Sequence, residues 1–216
     1  MKPKMKPGLK SRPQGASARP RLILASASAS RRTMLQRAGI ACDFAAADID
    51  EAAVKRQMQR RNAAPERISE HLAYLKARAV SRKNPGRLVL GADQLLVCDE
   101  RIFDKPRDMD EVADHLRFFR GRSHYLHTSY ALVQDLEARV IATKSPRLVM
   151  RDFSEDFLRR YLEISGEKIL GSVGCYLLED MGPQLFSEIN GDYFTILGLP
   201  LLEVMDNLRE MNILQA

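Results

Sequence analysis

One stretch, "RLVLGADQLLVCDERIF" at residues 87–103, constrains the fold more than any other. Two apolar runs flank a single carboxylate, Asp93. Apolar residues on both sides mean that the chain crosses a core here. An ionised carboxylate in such a place is costly unless a cation or a metal meets it. The runs read as strand, the second turning at Asp99–Glu100. Asp93 is then either a plain turn residue after Gly91 or the centre of a site.

The surrounding sequence supplies elements of both kinds. "RLILA" (21–25) reads as a buried strand, followed by a short helix to about Ala38 that Gly39 stops. Ser28 or Ser30 suits its N-cap, because a hydroxyl there accepts a first-turn N–H. A longer helix spans Pro65 to Lys83, with Ile68, Leu72, Leu75 and Ala79 as its apolar stripe and "NPG" as its end. Residues 108–119 form another helix, with Asp108 and Glu111 spaced as a capping box. Extended runs at about 125–134 and 139–150 suggest an antiparallel pair, with a helix near 154–164 after them. "SVGCYLLE" (172–179) and "GDYFTILG" (191–198) look strand-like, and Pro200 suits the first turn of a closing helix. Strands and helices alternate without regular βαβ repeats, which predicts a mixed α/β (α+β) sheet rather than a doubly wound one. No internal repeat or interdomain linker interrupts residues 21–216, and this length buries one core or one divided into two lobes.

Charge narrows the function. The formal net charge is +6, but residues 1–20 carry Lys2, Lys4, Lys6, Lys10, Arg12 and Arg19 with no acid. The remaining 28 basic and 28 acidic residues cancel. The excess therefore sits in a Pro-, Ser- and Gly-containing tail expected to be disordered. That tail lacks the apolar region of a secretory signal, and its prolines disfavour a presequence helix. A neutral body argues against nucleic-acid binding. No apolar run reaches the roughly 18 residues of a membrane helix, so a soluble protein is expected. Cys42, Cys98 and Cys175 suit neither a disulfide scaffold nor a zinc site, and fit a reducing cytoplasm. His71, His115, His124 and His127 make no metal-binding helix motif, and ordinary surface or packing roles are expected of them.

"LILASASASRR" (22–32) ends a strand in three serines and two arginines. Ser26 and Ser28 add hydroxyls there. Arg31 and Arg32 oppose the dipole of the helix they start, a placement that an anion would reverse. Lys76 edges an apolar stripe, Lys105 precedes Pro106, and Asp48, Asp50 and Glu51 cluster as helix-start acids or magnesium ligands. Each has an ordinary alternative: serines cap helices, lysines snorkel, and charged turns face water. Together they are what cleavage of a nucleoside triphosphate requires, namely separated cations, one or two carboxylates and a helix start.

"LILASASASRR", "DIDE" (48–51), "LAYLKARAV", "GADQLLV", "DKP" and "GDYFTILGLPL" occur in the order of the motifs of the Maf family of nucleoside triphosphate pyrophosphatases, which the chain resembles over about residues 21–212. The resemblance implies two lobes around a nucleotide cleft, similar in shape to the inosine triphosphate pyrophosphatases. It implies hydrolysis to the monophosphate and pyrophosphate with a divalent metal (Mg, Mn or Co), and a homodimer. By motif, Asp93 would activate water and, with Glu51, hold the metal. Ser26, Ser28, Arg31, Lys76 and Lys105 would meet the phosphates. The common turn "S-x-S-P-R-R" is altered here by Ala29 and Ser30. Gln94 and Glu179 resemble the branch acting on 7-methyl-GTP, and with Ser30 are the expected specificity positions. A dTTP/UTP pyrophosphatase, or a non-catalytic nucleotide-binding regulator of cell division, is the alternative.

Overall fold

The computed structural model describes residues 22–215. The basic tail expected at residues 1–20 lies outside them. Eight strands form one sheet: β1 (Leu22–Ala25), β2 (Cys42–Phe44), β3 (Leu88–Cys98), β4 (Arg101–Phe103), β5 (Ser123–Gln134), β6 (Glu137–Lys144), β7 (Arg147–Met150) and β8 (Phe186–Asn190). Their order is β2-β1-β3-β5-β7-β8, with β4 paired to β3 and β6 to β5. β1 runs parallel to β2 and β3, and every other pairing is antiparallel. The helices are α1 (Ala29–Arg37), α2 (Glu51–Arg60), α3 (Pro65–Arg82), α4 (Met109–Phe119), α5 (Glu155–Ser165), α6 (Tyr193–Ile196) and α7 (Leu201–Glu210). The mixed α/β class is the expected one.

Local chemistry sets these boundaries. Ser28 caps α1 by accepting the Arg31 N–H, and the helix stops before Gly39, whose φ of +70° suits glycine. Asp108 caps α4 by accepting the Glu111 N–H. β3 turns into β4 at Asp99 and Glu100, both with positive φ. Gly91 has a different reason to be glycine. A Cβ there would lie 2.1 Å from the Ala73 carbonyl oxygen and 2.8 Å from the Ala77 nitrogen. The backbone of α3 rests directly on β3 at that point.

Three readings are corrected. Asp93 is no turn residue; it sits in the middle of one unbroken strand. "SVGCYLLE" and "GDYFTILG" are not strands: the first is turns after a 3₁₀ segment, and the second contains α6. Asp192 accepts the Thr195 N–H and so starts a helix where apolar content alone suggested extension. The strand in this region is β8, whose outward residues hid its pattern. The run at 139–150 is interrupted at Ser145–Pro146, giving β6 and β7, which share β5 as partner.

The long strands β3 and β5 connect two cores. Near their β1 end, Leu22, Leu24, Leu88, Leu90 and Leu132 pack under α1 and α7, while Ile23, Val89 and Val133 pack under α3. At the other end, Leu96, Leu126 and Leu148 pack with Phe103, Phe119 and Phe186. Between them the sheet edge is open. β1 pairs with β3 over Leu88–Gly91 and β4 over Leu96–Cys98. Among the described residues, no strand pairs with residues 92–95 on that side. Asp93 lies in this notch.

Candidate active site

The notch is fed from both sides, by the turn that ends β1 and by the loop that follows β4. Asp93 is 7% exposed, and its Oδ1 lies 2.6 Å from Lys76 Nζ. Lys76, on the sheet-facing side of α3, also pairs with Glu51 Oε2 at 2.7 Å. Asp50 caps α2, so Glu51 opens that helix at the mouth of the notch. Asp93 Oδ2 is buried without a partner. Burial raises the Asp93 pKa, Lys76 and Arg31 oppose the rise, and Glu51 adds to it. A carboxylate raised in this way is suited to general-base work.

Arg31 is held by the protein itself. Its Nε donates to Gly198 O at 2.7 Å, and its Nη1 to Ala92 O at 2.9 Å and Ser26 Oγ at 3.3 Å. These acceptors offset the unfavourable position at a helix start. Burial lowers the Arg31 pKa against the opposing pull of Asp93 and Glu51. The Ser26 hydroxyl also accepts the Ser28 N–H. Lys105 is exposed on the loop after β4. Partial desolvation lowers its pKa, as do the like charges of Arg31 and Lys76. The structure thus gathers Ser26, Arg31, Glu51, Lys76 and Asp93 at one notch, with Lys105 within their electrostatic reach.

The expected specificity positions separate. Gln94 projects to the sheet face opposite Asp93. Its amide nitrogen donates to Thr128 Oγ1, Thr195 O and Ile196 O at 2.8, 3.2 and 3.1 Å. Ser30 donates to Leu197 O at 3.1 Å. Four successive carbonyls of residues 195–198, at the end of the short α6, therefore accept from Gln94, Ser30 and Arg31. A four-residue helix leaves its last carbonyls without intrahelical partners, and the site's side chains supply them. Gln94 and Ser30 make structural attachments here, so neither selects a base through these bonds. Glu179 is exposed in the turns between α5 and β8.

Two features escaped the sequence reading. The carbonyl platform at 195–198 could not be seen, because a backbone acceptor leaves no residue signature. The ion pair of Lys55 with Asp104 was detectable in principle, since Lys55 lies one turn after Glu51.

Among the described residues, no group of three or more His, Cys, Asp or Glu could hold a metal ion. Two carboxylates, Asp93 and Glu51, do converge on Lys76. That number suits a hard cation that shares its remaining ligands with substrate phosphates, as magnesium does. A neighbouring cavity of about 300 Å³, lined by Ile49, Leu75, Arg78 and Arg82 among others, includes none of these site residues. No described helix is long and apolar enough to cross a membrane.

The chain is similar to known proteins over most of its length. A nucleoside triphosphate pyrophosphatase of Granulibacter bethesdensis is 48% identical over 190 residues, 88% of this chain and 96% of the relative. A 7-methyl-GTP pyrophosphatase of Rhizobium meliloti is 43% identical over 198 residues, 92% of this chain and all of the relative. A 7-methyl-GTP pyrophosphatase of Brucella suis is 43% identical over 189 residues, 88% of this chain and 95% of the relative. The family model described as Maf-like protein matches residues 21–211, and the chain belongs to that family.

Proposed function

We propose that this protein hydrolyses a nucleoside triphosphate to its monophosphate and pyrophosphate, with 7-methyl-GTP as the substrate. One observation carries the reaction: a buried carboxylate with one oxygen paired and the other without a partner, set in an open sheet edge among cations. In the reaction, water adds to the α-phosphorus and the bond to the bridging oxygen breaks. Pyrophosphate leaves, and Asp93 takes the proton of the water through Oδ2. Arg31, Lys76 and Lys105 hold the phosphate oxygens, with Ser26 as a further donor. Ser28 is engaged as the cap of α1 and belongs to the frame of the turn. Asp93 and Glu51 would hold a divalent cation, which supplies charge neutralisation on the phosphates when bound.

The substrate class is supported by the names of the relatives, and by Glu179. 7-Methylguanine is cationic and presents N–H donors, which a carboxylate accepts better than an amide does. The reaction is placed in the cytoplasm, a reading supported by the free cysteines Cys42, Cys98 and Cys175.

Pyrophosphate release from canonical and modified triphosphates, with magnesium, manganese or cobalt, tests the proposal. Asp93→Asn should lower turnover by roughly 10²-fold or more with the melting transition retained. Parent-like turnover in that variant would overturn the assignment of the base.

A further inference from the structure

Lys105 stands among charges of both signs without a bonded partner among the described residues. Arg31 and Lys76 repel it while Glu51 and Asp93 attract it, and among the described residues no carboxylate is bonded to its ammonium. A long side chain on an exposed loop, bonded to none of these groups, spends its time in water unless the loop is fixed. The residue before it, Asp104, is 80% exposed, and its carboxylate receives Lys55 Nζ. The Lys55 side chain is only 12% exposed, so its stem lies against protein. Lys55 follows Glu51 by four residues and shares its face of α2. One face of this helix thus pairs with Lys76 on one side of the notch and with Asp104 on the other. α2 has no fully buried residue, and its attachment is otherwise shallow, through Val54 and Met58 against Ile68, Leu72 and Leu95.

We propose that Lys55 is a positioning residue: through Asp104 it ties the loop between β4 and α4 to α2 and so holds Lys105 over the notch. This rests on the notch being the triphosphate site. In this proposal Lys55 acts through Asp104 and does not itself meet phosphate. Exposed ion pairs are weak, so loss of the pair should cost about two- to fivefold in substrate binding rather than abolish it.

The test measures KM and kcat on the best triphosphate of the panel, and the Kd of an analogue with a non-hydrolysable α,β bond. Lys55→Met and Asp104→Asn should each raise KM and the analogue Kd about two- to fivefold with kcat nearly unchanged. The two together should do no more than either alone. In a Lys105→Ala background both should be silent. A Lys55→Met effect that persists beside Asp104→Asn means direct phosphate contact and overturns the proposal. So does an effect that persists beside Lys105→Ala, which means that α2 acts by another route. Unchanged KM and Kd also overturn it. If the parent binds the analogue but hydrolyses no triphosphate, the proposed reaction fails while the Kd series still decides the role of Lys55. A parent that neither binds nor hydrolyses overturns both.

Discussion

The two ends of the β3–β5 pair build their cores by different means. Around β1 the core is aliphatic and regular. Strand residues such as Ile23 and Val89 lie under a helix that presents Ala73 and Ala77, close enough that Gly91 leaves no room for a Cβ. Around β7 the core mixes aromatic rings with aliphatic side chains, and beside α4 and α5 part of its covering is irregular. Phe103 and Phe119 meet at 4.7 Å, Tyr176 and Phe186 at 4.8 Å, and the segment from Gly166 to Leu185 is turns and 3₁₀ pieces. Large rings fill space that irregular backbone leaves, whereas small side chains demand regular elements at fixed spacing. The candidate site residues Arg31, Glu51, Lys76 and Asp93 stand on helices or strands of the regular end, with Ser26 and Lys105 on the loops beside them. Glu179 stands on a turn of the irregular one. Rigid elements hold groups to a few tenths of an ångström for chemistry, while loops can vary to suit a ligand.

The largest expected effect breaks the regular end. Gly91→Ala would force the added methyl into the backbone of α3, which cannot yield as a side chain would. Stability should fall by about 3 kcal/mol. Turnover should fall with it at temperatures where the protein stays folded, because Lys76 moves with α3. Urea denaturation and activity on the same samples check this. A variant of parental stability would show that α3 is not seated as tightly as the contact at Gly91 requires.

A titration distinguishes the irregular end. His124 is fully buried, with Nε2 2.8 Å from the Tyr176 hydroxyl and Nδ1 without a partner, and it faces the rings of Phe119 and Phe186. Burial pushes its pKa down to about 3 from an ordinary 6.5. A depressed histidine gives stability that is present above pH 6.5 and is lost as pH falls, since the unfolded chain takes the proton first. The loss should reach about 2 kcal/mol at pH 5 relative to pH 7.5. His124→Phe removes the titration, so its stability should vary less with pH over that interval, by the same amount. Parallel pH dependences in parent and variant would sink this account. His127, on the opposite face of β5, pairs with the Ser145 hydroxyl at 2.9 Å.

The same contrast explains what the sequence disclosed. At the regular end, local signals agree with the fold. Ser28 caps α1 and Gly39 stops it. Of the stripe expected on α3, Ile68 and Leu72 are buried while Leu75 and Ala79 are half-buried beside a cavity, and the buried face runs through Ala73, Lys76, Ala77 and Val80 instead. Glu51, Lys76 and Asp93 come from three such elements, and their motifs pointed to one site. At the irregular end, apolar residues in "SVGCYLLE" serve a turn-rich segment that has no period, and the outward residues of β8 mask a real strand. Local propensity cannot show how far a turn packs into an aromatic core. Nor can side-chain identity show that Gln94 is bonded to carbonyls a hundred residues away.

Gln94→Leu sharpens the division between holding and selecting. It keeps the size of the side chain but removes the amide from Thr195 O and Ile196 O, which loosens the platform that orients Arg31. Thr195 O keeps the Gly198 N–H and the Thr128 hydroxyl, so the cost falls on Ile196 O and should be about tenfold in kcat/KM. The loss should be equal for 7-methyl-GTP, UTP and dTTP, because every triphosphate needs Arg31. A change in the ratio between substrates would return Gln94 to the role of a specificity residue.

The smallest effect should appear only in that ratio. Glu179 is exposed and lies on the irregular side, away from the regular elements that carry Asp93 and Lys76. If it meets the base, its carboxylate attracts the cationic ring of 7-methylguanine and accepts its N–H donors, while uracil and thymine offer a neutral ring and a single imide N–H. Glu179→Gln keeps the shape, one acceptor and the fold. It should therefore leave hydrolysis of UTP and dTTP nearly unchanged and lower kcat/KM for 7-methyl-GTP about three- to tenfold, the worth of one charge-assisted hydrogen bond near a solvated surface. Paired kcat/KM values on parent and variant read this directly. A fall shared by all three substrates would place Glu179 in phosphate chemistry instead, and no change at all would remove the irregular end from base selection.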